Sequence, residues 1–235
     1  MAEAARAIHY TWDDYRQWDD DQRWEILGGE VFAMSPAPSL RHQRILFELA
    51  RQLGEHFEGK PCRVFPAPTD VKLSDADIVQ PDLLVVCDRS QLKETHVEGP
   101  PALVVEILSP STANFDRIRK MRLYARFGVK EVWLITPYPW LAEVFVLDGE
   151  SYRLAGGFEK TDTLASVTFP GLLIALEKVF DYEIPPHEQV QMVKEGRPPY
   201  VPRHVGGAEA RVDGPPANAA AGAHAPHLVP GELTP

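Results

Sequence analysis

The chain has 235 residues, 44% hydrophobic and 25% charged, with a net charge of −10. That length allows one sizeable core and predicts a single domain with appendages. No apolar run reaches the roughly 18 residues that a bilayer span needs. The start, "MAEAARAIHYTWDDYRQWDDDQRWE", is too acidic for a secretory signal, so the expectation is a cytoplasmic protein with no membrane partner. The negative balance argues against indiscriminate nucleic-acid binding, which depends on Lys and Arg neutralising phosphates. Cys62 and Cys87 have no CxxC or His-rich neighbourhood and are expected as reduced thiols, neither a disulfide nor a zinc site.

In chain order, "TWDD" supplies a capping hydroxyl and first-turn acids for a short helix after Thr11. "WEILGGEVFAM" predicts a strand pair turning at Gly28 and Gly29. From Leu40 to Phe57, the apolar residues Ile45, Leu46, Leu49, Leu53 and Phe57 recur at helical spacing. "CRVFPAPTDVKL" reads as an extended segment broken by prolines. "DLLVVC" (82–87) and "LVVEIL" (103–108) read as central strands covered on both faces. A helix is predicted from Phe115 to Phe127, stopped by Gly128. "EVWLI" follows as a strand, "EVFVLDGESYRL" as a hairpin turning at Asp148 and Gly149, and Leu172 to Phe180 as a last amphipathic segment. These elements predict an α/β (α+β) domain over residues 1–197, built on a mixed sheet flanked by helices. Residues 198–235, rich in Pro, Ala and Gly, are expected to be a disordered tail.

Charge is unevenly placed. Seven acids face two bases between Tyr10 and Glu30, whereas six bases face Asp116 alone between Asn114 and Lys130. The second patch reads either as a solvated helix face or as a site for an anionic ligand.

Two acids carry the chemical argument. Asp82 follows Pro81 at a strand start, where a solvent-facing turn acid is one reading. Glu106 interrupts Leu103, Val104, Val105, Ile107 and Leu108 with no turn residue beside it, and burying an unpaired carboxylate costs several kcal/mol. Two strand acids that converge would form a hard oxygen site for Mg²⁺ or Mn²⁺, with the backbone carbonyl of Ile107 as a further ligand. The residue that shares Glu106's face two positions on is Leu108, which supplies no base. On the following helix, Asp116, Lys120, Leu123, Tyr124 and Phe127 share a stripe roughly 100° wide. Asp116 is spaced to orient Lys120 as an i,i+4 partner, although Lys120 also reads as a lysine snorkelling from the stripe's edge. Arg119, Arg122 and Arg126 form a separate basic ridge. His42, in "SLRHQRI", reads either as a structural residue at a helix start or as support for the site. Glu48 lies on the same helix.

The motifs "QPDLLVV", "PPALVVEILSPST" and "DRIRKMRLYARFGVKEVWLI", with "GGEVFAMSPAPSLRHQRI" before and "FPGLLIAL" after them, resemble the Uma-two family of restriction-endonuclease-like proteins in the PD-(D/E)XK nuclease superfamily. The resemblance implies a restriction-endonuclease-like central sheet, here with an extra N-terminal strand pair and a C-terminal hairpin. It implies Asp82 and Glu106 as metal-binding acids and Lys120 as the third-motif lysine displaced to the helix. His42, Asp116 and Tyr124 would then support the site, and Arg119, Arg122 and Arg126 would contact phosphates. The implied activity is Mg²⁺- or Mn²⁺-dependent hydrolysis of phosphodiester bonds, in DNA or another nucleic acid. Two alternatives stay open: a non-catalytic binding or regulatory module on the same fold, and a hydrolase using Asp82 and Glu106 as a metal-free acid and base pair. A homodimer is also left open.

Overall fold

The computed structural model describes residues 9–20, 22–34, 38–110 and 113–183; the predicted tail lies outside them. Thr11 opens the first helix, α1 (Trp12–Tyr15), through a capping box: its hydroxyl accepts the Asp14 N–H, and Asp14 accepts the Thr11 N–H. The strand pair β1 (Trp24–Leu27) and β2 (Glu30–Ala33) follows. Its two-residue turn holds Gly28 at φ 60° and Gly29 at φ 83°, left-handed values that suit a hairpin with the natural strand twist. Ser39 caps α2 (Leu40–Phe57), which buries Ile45, Leu46, Glu48, Leu49, Leu53 and Phe57 on one stripe.

The remaining elements are β3 (Arg63–Pro66), β4 (Val71–Ser74), β5 (Asp77–Val79), β6 (Leu83–Val86), β7 (Val97–Glu98) and β8 (Leu103–Ile107), then a helix starting at Phe115. That helix is π-wound over Phe115–Lys120 and continues as α3 (Met121–Phe127), closed by Gly128 at φ 80°. After it come β9 (Glu131–Thr136), β10 (Leu141–Asp148), β11 (Ser151–Phe158), β12 (Thr163–Ala165), β13 (Leu173–Ala175) and α4 (Leu176–Val179).

The expected central sheet has six strands in the order β11-β10-β9-β8-β6-β3, and it is mixed: β8 and β9 run parallel across the helical crossover, and the other pairs are antiparallel. Strand alternation divides its core. Leu83, Val85, Leu103, Val105 and Ile107 pack with α2 on one face, while Leu84, Val86, Val104 and Leu108 pack with Leu123 and Tyr124 of α3 on the other. The N-terminal strand pair is more than an appendage, because it belongs to a second sheet of order β2-β1-β5-β4-β7.

Several expectations change. The helix from Phe115 is not α-helical throughout: the Met121 N–H donates to the Asp116 carbonyl five residues back. The segment 172–180 splits into a short strand and a single helical turn. The last hairpin pairs Asp148 with Ser151, so its turn is Gly149–Glu150. The cysteines are not free thiols: Cys62 and Cys87 form a disulfide. Arg63 opposes Val86 in the β3–β6 ladder, so the next step outward places the two cysteines opposite each other, a proximity that 25 residues of separation conceal.

Candidate active site

Strand register gives the two acids their relation. β6 and β8 pair Leu83 with Val105 and Leu84 with Val104, and the next step of the same ladder sets Asp82 opposite Glu106. Both therefore lie on the face covered by the Lys120 helix. Asp82 is pinned three ways. Its carbonyl accepts the Ala67 N–H, its Oδ2 accepts the Ile107 N–H at 2.7 Å, and its Oδ1 lies 3.2 Å from His42 Nε2. His42 reaches it from the first turn of α2. The His42 Nδ1 is buried without a hydrogen-bond partner among the described residues.

Glu106 is 3% exposed. Its Oε1 accepts the Tyr124 hydroxyl at 2.5 Å and Lys120 Nζ at 3.2 Å. Lys120, also 3% exposed, distributes its ammonium protons among Glu106, Glu25 at 2.8 Å and Asp116 at 3.5 Å. Burial pushes the Glu106 carboxyl well above the usual carboxylate range. Lys120 opposes this, and the negative charges of Asp116, Asp82 and Glu25 add to it. For Lys120, burial works against the charge, but Glu106, Glu25 and Asp116 outweigh it and hold the ammonium well above the ordinary lysine value. Burial, followed by the charge of Glu106, raises the Tyr124 hydroxyl, which stays a protonated donor.

Glu25 is the residue that the sequence reading missed. On β1, its Oε1 accepts both the Lys120 ammonium and the Gln80 N–H at 2.9 Å, so it ties the lysine to the link between β5 and β6. Its signal was available: an acid among Trp24, Ile26 and Leu27 is as irregular as Glu106 in its own strand. Glu48 is buried, but its partners are Arg51 and Gln52 of its own helix.

The basic ridge is partly engaged. Arg119 lies 3.6 Å from Glu30 and Arg126 lies 2.8 Å from Asp77, while Arg122 lines a groove with Arg126, Gly128 and Gly149.

As a donor set, Glu25, Glu106 and Asp116 surround one lysine, and Asp82 stands across the ladder from Glu106; this excess of negative charge suits a hard divalent cation. Among the described residues, no three His, Cys, Asp or Glu side chains are gathered to hold a metal. Asp82 and Glu106 with the Ile107 carbonyl would supply only a partial shell, which Mg²⁺ would complete with water and substrate phosphate.

The sequence profile described as "Putative restriction endonuclease", Uma2, matches residues 12–177. The uncharacterized protein slr1290 of Synechocystis sp. is 32% identical over 126 residues, covering 52% of this chain and 66% of that one. The uncharacterized protein sll1609 of the same organism is 25% identical over 146 residues, covering 59% of this chain and 73% of that one. The chain thus spans about two thirds of the first relative's length. The fold is similar to the crystal structure of "a putative nuclease belonging to DUF820" from Anabaena variabilis, with a TM-score of 0.60 at 19% identity over 72% of this chain and 97% of that one. With the profile running from α1 to α4 through every side chain of the charged cluster, the chain belongs to the Uma2 family of restriction-endonuclease-like proteins.

Proposed function

We propose that the protein is a divalent-metal-dependent nuclease that hydrolyses phosphodiester bonds in DNA. The observation that carries this reading is the convergence of Glu106 and Lys120 at 3.2 Å, beside an Asp82 that grips the Ile107 N–H next to Glu106. Asp82, Glu106 and the Ile107 carbonyl would hold Mg²⁺ or Mn²⁺, which when bound polarises the scissile phosphate and acidifies a water. Lys120, oriented by Glu25 and Asp116, places a fixed positive charge where the phosphate accumulates negative charge during attack. Tyr124 fixes the Glu106 carboxylate from behind. His42 fixes the rotamer of Asp82. Arg122, exposed on the same helix, serves phosphate binding away from the reacting atoms.

The test is cleavage of plasmid DNA with Mg²⁺ or Mn²⁺, compared with chelator and with Asp82→Ala. Cleavage that needs the metal and Asp82 supports the proposal, and cleavage that persists in chelator overturns it. A second reading, a non-catalytic module, draws on the net charge of −10 and on the burial of Lys120 among three acids. It predicts DNA binding without cleavage under any metal.

A further inference from the structure

Beside the charged cluster lies a group of flat side chains that the reaction does not use. Phe32 and Phe115 stand with ring centroids 5.0 Å apart, and the Arg119 guanidinium lies 5.1 Å from the Phe32 ring centre. Both rings are half-buried, Arg119 is exposed, and neither ring belongs to any of the three hydrophobic cores of the described residues. Each member is one step from the site. Phe32 is the cross-strand partner of Glu25, so its ring leaves the same face of the β1–β2 ribbon as the carboxylate that holds Lys120. Phe115 precedes Asp116, and Arg119 precedes Lys120.

From this placement, and resting on the nuclease reading above, we infer that Phe32, Phe115 and Arg119 form a stacking platform for an unpaired nucleobase flanking the scissile phosphate. The preferred substrate is therefore single-stranded or frayed DNA. Aromatic rings and guanidinium planes are the surfaces on which unpaired bases stack, whatever their sequence. Bases inside a duplex are already stacked on each other and cannot offer a face to such a platform. The Arg119 charge, 3.6 Å from Glu30, would be shared with the strand's phosphates.

The test measures binding of the full-length protein by fluorescence anisotropy, with Ca²⁺ supplied and strand integrity checked on gels. Three labelled probes are used: a short single strand, the same strand with abasic sites, and the matching duplex. Phe32→Leu and Phe115→Leu keep an apolar side chain and spare the fold, and Phe115→Ala is added where it remains folded. The expected result is a loss of single-strand affinity of roughly 5- to 150-fold per ring removed, with no change for the abasic strand or the duplex. Equal weakening on all three probes, or no weakening on the single strand, overturns the platform. A protein that binds and cleaves duplex normally while the Phe variants leave single-strand affinity intact loses this inference alone. A wild type that binds none of the probes loses the nuclease reading with it.

Discussion

Asp82 and Glu106 oppose each other across antiparallel β6 and β8, one register step beyond the Leu83–Val105 pair. They sit in unequal surroundings: the Asp82 side chain is 20% exposed and that of Glu106 4%. The charge of Asp82 adds to what burial does to the Glu106 carboxyl.

A pH experiment follows from that asymmetry. Burial, with its anionic neighbours, raises the Glu106 proton affinity well above the ordinary value of 4.5. Above pH 4.5 the unfolded chain then binds fewer protons than the folded one, so stability falls as pH rises through the window between 4.5 and the folded-state value. In chelator, Glu106→Gln should raise the urea midpoint at neutral pH and flatten the decline above pH 4.5. A lower midpoint for the variant at neutral pH would show that the attraction of Lys120 outweighs the burial of this charge.

Removing the cation should act in the opposite direction. Lys120→Ala leaves Glu25, Glu106 and Asp116 buried without their shared counter-charge, at a cost of about 3–5 kcal/mol. Below its lowered melting temperature, the variant should still bind Mn²⁺ by calorimetry while cleaving DNA roughly 10²-fold more slowly. Arg122→Ala should instead weaken DNA binding and reduce the salt slope by about one unit. Wild-type cleavage by the Lys120 variant beside a dead Arg122 variant would reverse the roles given to the two helix faces.

Glu25→Gln isolates the positioning of the lysine. The amide oxygen still accepts the Gln80 N–H, so melting should shift little, but the ammonium loses its nearest anion. The expectation is a fall in kcat on the order of 10- to 100-fold with KM for DNA unchanged. A lowered melting temperature with kcat intact would make Glu25 a structural link between the sheets and nothing more.

Cys62→Ser with Cys87→Ser opens a loop with a sequence separation of 25. The chain-entropy relation then gives a loss of about 3.5 kcal/mol, read as a lower urea midpoint that dithiothreitol reproduces in the wild type. Equal midpoints with and without reductant would contradict a bridged pair.

Local signals made much of this legible. A regular apolar stripe marked α2, and Gly128 marked the end of α3. The irregular acid at Glu106 and the stripe position of Lys120 pointed into the same cluster without a structure. What escaped depends on long-range register. β4, β5 and β7 are two to four residues long, too short for a period to emerge, and β5 gains its place by pairing with β1 some 50 residues away. The Cys62–Cys87 pair was hidden for the same reason, since it forms only when β3 and β6 align, and Glu25, though irregular within its own strand, takes its role only from the distant Lys120.

The π-wound stretch from Phe115 to Lys120 spends one more residue per hydrogen-bonded ring than an α-helix does. The chain thus holds a spare residue upstream of the regular coil that carries Leu123 and Tyr124. Shortening this stretch by a single residue would let it relax to α-helix and leave Tyr124 under Glu106, while Asp116 and Phe115 swing around the axis. The length of one helical turn therefore sets how the acid beside the lysine and the ring at the rim are aimed, independently of the packing that holds the helix to the sheet.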